Sequence, residues 1–198
     1  MSAKIENQLK REVRSMPVSI DDSQDEKMLI QGYAIRFNEP AVFKFDGVEY
    51  REVIDPRALD KTDMKDIPLK YNHSDNVMVM ARTRNKTLQL IKDEEGLRIL
   101  AELANTTAGR DLYELIKRGD VDKMSFAFTV AKDDYDRETR TRTILAIDKI
   151  FDVSAVDTPA YETTSLSVRS YFEAEAEKQR KALERELRRR KLLIKTYF

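Results

Sequence analysis

Residues 123–130 read Lys-Met-Ser-Phe-Ala-Phe-Thr-Val, a strict two-residue alternation of the kind a half-buried β-strand shows. Met124, Phe126, Phe128 and Val130 form one bulky apolar face, and Ser125, Ala127 and Thr129 form a bare one. Short runs of strand character recur along the chain: LIQGYAIRF after Met28, VFKF and VEYREVI on either side of Asp46-Gly47, IPLKYNH (67–73), VMVMART (77–83), and TLQLIKDEEGLRILAEL folded at Asp93–Gly96. Asp-Gly between two such runs is a strong hairpin signal. A charged turn after the 123–130 strand leads to the long apolar stretch TILAIDKIFDVSAV. The pattern predicts a mainly β fold with helices, a barrel or strongly curved sheet.

Helices are few. Asp55-Pro56 offers an N-cap and a proline at the first helical position, predicting a short helix over 56–62. Asn105 is placed to cap a helix over 106–118, with Gly119 as its left-handed terminator. From Tyr171 the composition turns to Glu, Lys, Arg, Ala and Leu, with supporting pairs such as Glu184–Arg188. This divides the chain into a flexible N-terminal arm or loosely attached first strand (1–27), a folded domain (28–170) and a basic helical tail (171–198). Over 172–198 there are nine Lys/Arg against five Glu, and Phe172, Ala176, Leu183, Leu187 and Ile194 form a stripe interrupted at Gln179 and Arg190.

Composition narrows the chemistry. The 36 basic and 36 acidic residues cancel, so no global field recruits nucleic acid or an anionic membrane. There is no apolar run of the ~20 residues a membrane span needs. Cysteine is absent, which removes disulfides, thiolate metal sites and a cysteine nucleophile. His73 is the single histidine, so an imidazole base must be His73, and a zinc site would need almost only carboxylates. No P-loop, GxGxxG, GxSxG or HExxH motif occurs, and no cofactor or metal is expected.

A hydroxyl nucleophile needs a base, and the base needs a group that orients it and stabilises its cation. Ser125 on the bare strand face and His73 at a strand end are the candidates for the first two. Two carboxylates, Asp148 and Asp152, interrupt the apolar stretch 144–156. Period two places them on one face with Ile150, Ser154 and Val156. Asp152 lies deeper in the apolar run and Asp148 sits beside Lys149, which favours Asp152 as the buried partner.

The ordered series GYAIRFNEPAV, Asp55-Pro56, YNHS, ARTRNKTLQL with EEGLR, NTTAGRDLYELIKRGDVDKMSFAF and FDVSAVDTPAY resembles the prohead serine proteases of tailed bacteriophages, over roughly residues 28–168. The resemblance implies an assemblin-like β-barrel surrounded by short helices. It implies a histidine from the YNHS segment and a serine from the MSF segment, which fall on His73 and Ser125. The third, acidic member falls in FDVSAV on Asp152, where related sequences often carry Glu. It further implies a serine endopeptidase that cleaves the scaffolding segment of the capsid protein precursor, and itself, inside the procapsid in the host cytoplasm. Partners would be that precursor and, as in related viral proteases, a second copy of the chain, with no membrane and no specific nucleic acid. The competing reading is a non-catalytic component of the procapsid core. The small-residue face around Ser125 is expected to receive a substrate strand by backbone pairing. Backbone N–H groups over 154–160, or Arg82 and Arg84, are the oxyanion candidates. Thr163–Ser170, polar and Ser/Thr-rich, is the expected self-cleavage linker.

Overall fold

A computed structural model describes residues 11–21, 27–45, 47–157 and 161–196, with side chains except over 161–167 and 191–196. Among the described residues there are ten strands: β1 (Arg11–Ile20), β2 (Leu29–Arg36), β3 (Ala41–Phe45), β4 (Val48–Ile54), β5 (Pro68–Tyr71), β6 (Ala81–Arg82), β7 (Leu88–Lys92), β8 (Gly96–Glu102), β9 (Lys123–Asp136) and β10 (Thr141–Val156). Helix α1 (Thr107–Arg118) precedes β9, and α2 (Tyr161–Thr196) follows β10. The mainly β class with helices is what the alternation predicted.

All ten strands belong to one sheet, in the order β3-β4-β10-β9-β1-β2-β8-β7, with β5 branching from β10 and carrying β6. Among the described residues the ladder does not close. The β6 branch nonetheless reaches toward β7 and β8: Ala104 N–H donates to Met80 O at 2.8 Å and Arg82 N–H to Thr87 Oγ1 at 2.8 Å. One core fills the curved interior, with Ile30, Ile35, Leu97 and Ile99 facing Phe126, Phe128, Ile150 and Val153.

The 87–103 hairpin forms as β7 and β8, and Phe45 pairs with Val48 around Gly47, whose φ is +79°. Asp46 of that predicted turn lies outside the described residues. Helix α1 ends as expected at Gly119 (φ +81°). Its cap, however, is Thr106, whose Oγ1 accepts the Gly109 N–H at 3.1 Å. The helix predicted over 56–62 is instead a run of turns, with Ala58 N–H to Asp55 O and Asp60 N–H to Arg57 O. Asp55 caps its own turn by accepting from Arg57 N–H at 2.8 Å, a local bond that competes with helix. The 77–83 strand shrinks to Ala81–Arg82.

Two larger corrections concern the ends. Of the two readings for 1–27, a flexible arm or a loosely attached first strand, the strand is present at 11–20, and it is built into the middle of the sheet rather than loosely attached. β1 pairs with β9 over Arg11–Pro17 and then with β2 over Val18–Ile20. Its polarity misled because its charged side chains are buried against each other. Arg14 donates to Glu52 at 2.5 and 2.7 Å and to Glu12 at 2.6 Å. Arg142 donates to Glu12 at 2.9 Å, Glu52 at 3.0 Å and Asp133 at 2.6 Å. At the other end the folded domain does not stop at 170. α2 is helical from Tyr161, and Val168 and Phe172 are buried against Phe43. Phe172 stacks on Tyr50 with ring centroids 4.5 Å apart, and the Arg142 guanidinium lies 4.1 Å from the Tyr171 ring centroid. Phe172→Ala is expected to cost about 3–5 kcal/mol of stability, read as a lower urea midpoint.

Burial pushes the Glu12 carboxyl up, but Arg14 and Arg142 outweigh it and hold it below the usual carboxylate range. A lowered carboxylate adds stability that is fully present above its unfolded value of ~4.3 and is lost as pH falls through the folded value. Circular dichroism on acid titration should therefore show the fold intact at pH 5 and destabilised progressively below about 4. Arg142→Met, which leaves three carboxylates short of a cation, is expected to cost about 3–5 kcal/mol and to abolish part of this acid dependence.

Candidate active site

The site lies where β9, β10 and the end of β5 meet. Ser125 faces Ser154 across the β9–β10 ladder and Ser15 across the β1–β9 ladder, and Ala127 faces Asp152. β5 runs parallel to β10, pairing Ser154 with Lys70 and Ala155 with Tyr71. Directly after it the chain turns through Asn72 (φ +51°) and His73 (φ +54°), both in the left-handed region. Asn and His are among the residues that tolerate it best. Asn72 N–H is held by Ala155 O at 3.0 Å, and the Asn72 side-chain amide donates to Asp157 at 3.0 Å. Tyr71 also donates to Asp157. This turn carries the imidazole back over β10 and β9.

His73 Nε2 stands 2.8 Å from Ser125 Oγ, and His73 Nδ1 stands 2.5 Å from Asp152 Oδ1. The three residues singled out in the sequence are therefore brought into one chain of hydrogen bonds. Ser125 and Asp152 are buried, and His73 is partly exposed. Burial pushes the Asp152 carboxyl up, but His73, Arg11 and Ser154 outweigh it and hold it below the ordinary aspartate value. An ionised carboxylate only accepts, so Nδ1 must donate to it, and Nε2 is left bare to accept a proton. The Ser125 hydroxyl has a second acceptor in Arg14 O at 2.9 Å.

Asp148 does not join them. Strict period two would place Asp148, Ile150 and Asp152 on one face, but the β9–β10 register shifts between Ile147 and Lys149 and again between Ile150 and Asp152. These bulges send Ile144, Ile147, Ile150 and Val153 into the core at three-residue intervals. Asp148 is left exposed beside Thr129, and Asp152 turns to the small-residue face.

Two contacts were missed in the sequence. Arg11 at the start of β1 pairs with Asp152 Oδ2, and its guanidinium sits 5.3 Å from the Phe151 ring centroid. No local pattern announces a partner 141 positions away. Ser154, which shares the face of Asp152 by simple alternation, donates to Asp152 Oδ1 at 3.1 Å. Other expectations change. Around Ser125, over 123–129, β9 is hydrogen-bonded on both sides, by β1 and β10, so among the described residues a substrate strand has no free edge there to pair with. Arg82 and Arg84 both turn to Asp66, Arg82 at 2.5 Å, which removes them as oxyanion candidates. Residues 158–160 lie outside the described residues. Thr163–Ser170 is helical, so cleavage there would require unwinding.

Beside the His73 turn, Tyr71, Val77, Met80, Ala108, Leu112 and Leu115 line a mostly apolar cavity of about 200 Å³. Comparison with curated proteins and with solved structures finds no match. The family model of the caudovirus prohead serine proteases matches residues 14–179, from within β1 to the part of α2 beyond Phe172. That span includes His73, Ser125 and Asp152 together with the strands that hold them, and the chain belongs to the caudovirus prohead serine protease family.

Proposed function

We infer that the chain is a serine endopeptidase that removes the scaffolding segment of the capsid protein precursor during prohead maturation, and that Ser125, His73 and Asp152 are its catalytic triad. The observation that carries this reading is the continuous chain Ser125 Oγ–His73 Nε2, His73 Nδ1–Asp152 Oδ1 at 2.8 and 2.5 Å, in a member of a prohead serine protease family. Ser125 Oγ attacks the scissile carbonyl carbon while His73 Nε2 takes its proton. The imidazolium, stabilised by Asp152, then gives that proton to the leaving amine, and water releases the acyl group from Ser125 by the same relay. A substrate side chain of apolar character fits the cavity beside Tyr71 and Met80. The working place of such an enzyme is the interior of the procapsid in the host cytoplasm.

Two measurements test this. Co-expression with the capsid precursor, followed by mass spectrometry, should find a discrete cut in the precursor that is absent without the protease. A fluorophosphonate, which reacts at an activated serine whatever the peptide specificity, should label Ser125 with loss of fluoride. Labelling confined to another serine would remove Ser125 from the mechanism.

The tail has a separate role in this reading. Beyond Gln179 the described helix is exposed throughout, Leu183 and Leu187 included. Residues 180–190 carry six Lys/Arg against two Glu. A basic helix of this kind is suited to docking on acidic helical scaffolding segments. Truncation must leave Phe172 in place. Deleting 180–198 is expected to keep fluorophosphonate labelling within about twofold and to reduce incorporation into procapsids. Full incorporation of the truncated chain would show that the tail does not recruit.

A further inference from the structure

We propose that Ser154 is a positioning residue that locks the backbone and the ring of His73 onto one oxygen of Asp152. The inference rests on the triad reading above and adds a residue to it. The Ser154 hydroxyl is fully buried. It accepts the backbone N–H of His73 at 3.1 Å and donates its only proton to Asp152 Oδ1 at 3.1 Å. That same Oδ1 receives His73 Nδ1 at 2.5 Å. The bonds close a circuit that starts at the His73 backbone, runs through Ser154 and Asp152, and returns to the His73 ring.

Such a circuit answers a specific conformational problem. Two successive non-glycine residues, Asn72 and His73, are held in the left-handed region, which an unconstrained chain leaves readily. Asn72 has the Ala155 carbonyl and Asp157 to hold it, and the bond from His73 N–H goes to Ser154 Oγ. A serine is suited to the place because a hydroxyl accepts and donates at once. It therefore transmits the orientation of the carboxylate to the main chain that carries the base. The β9–β10 register sets its position, since Ser154 faces Ser125 across the ladder. Without the hydroxyl, the His73 amide is left without that acceptor and Oδ1 loses one of its two donors. Nε2 then leaves the line to Ser125 for part of the time. Ser154 touches neither substrate nor reacting atom in this scheme, and it acts through His73.

The chain supplies its own reporter, because His73 is the only histidine. In the full-length protein, the ¹⁵N and ¹H signals of one imidazole can be followed without assignment. Ser154→Ala is expected to lower the fluorophosphonate labelling rate about 10- to 100-fold and to broaden or shift the His73 Nδ1–H resonance. Ser154→Cys fills the same space with a weaker donor and should give a smaller change in the same direction, and it serves where the alanine variant folds poorly. An unchanged labelling rate in the folded variant overturns the proposal, whatever the resonance does. A slower rate with an unaltered His73 resonance overturns it too, because the loss would not pass through the base. Ser125→Ala measured in parallel separates the two readings. If it still cleaves the capsid precursor, the triad itself fails; if it is inert while Ser154→Ala matches the parent, only the positioning role fails.

Discussion

Ser125→Ala is expected to stop processing of the capsid precursor, with a loss of about 10⁶ in the rate of the chemical step, and to leave a folded protein. The two halves of that expectation have separate causes. The rate falls because His73 Nε2, 2.8 Å from Ser125 Oγ, has no proton to take and no attacking oxygen remains. The fold survives because alanine is already the neighbouring choice on this face: Ala127 stands two residues along the strand, buried like Ser125. Removing the hydroxyl forfeits its one donated bond, shared between His73 Nε2 and Arg14 O, a loss of about 1–2 kcal/mol. Precursor fragments should be missing from mass spectra while circular dichroism and the melting transition stay close to the parent. Fragments appearing at the parental rate would dismiss Ser125 as nucleophile.

Asp152→Asn is the second large effect, a fall of about 10⁴ in turnover, set against a change of a few-fold at most for Asp148→Asn. An amide at 152 can offer His73 Nδ1 a donor, which favours the tautomer with its proton on Nε2. In that tautomer the base cannot accept from Ser125. The substitution also deprives Arg11 of the carboxylate it pairs with and weakens the stabilisation of the imidazolium. Asp148 is exposed in its bulge, and Thr129 Oγ1 lies 3.4 Å from it, so an amide is accommodated there at little cost. Parallel labelling rates for the two variants decide the matter. A larger loss at 148 than at 152 would assign the third member to the wrong carboxylate.

The parts of this site that could be read in the sequence are those that local physics marks. A single histidine leaves one choice of imidazole, and the alternation around Ser125 marks a bare face, which the residues alone leave open between close packing and room for a substrate. Asp152 was reached by two routes, depth in an apolar run and family resemblance, although the face assignment behind the first was wrong. Ile150 points into the core and Asp152 away from it, and a bulge reconciles them. Bulges depend on the facing strand, so alternation alone does not reveal them. β1 was misread for a related reason. Arg14 and Glu12 look solvated in sequence because their partners Glu52 and Arg142 are 38 and 130 positions away. The tail boundary failed in the opposite sense. Phe172 falls within the tail by composition, but in the fold it packs into a cluster with Phe43 and Phe45 of β3, Tyr50 of β4 and Tyr135 of β9.

The placement of β1 has a further consequence for when the enzyme comes into being. The carbonyl that meets the Ser125 hydroxyl belongs to Arg14, 111 positions earlier, and the carboxylate that meets His73 is 79 positions later. On a ribosome, β1 can meet β2 early, but it must wait for nearly the whole domain before β9 arrives on its other flank, with β10 beyond β9. Pairings this distant in sequence make folding slow and late, since loop closure is completed before any contact rewards it. No partial chain that ends before β10 contains both Ser125 and Asp152, so a nascent or truncated product carries no complete relay. On the proposed triad, proteolytic competence therefore requires the chain to be complete through β10.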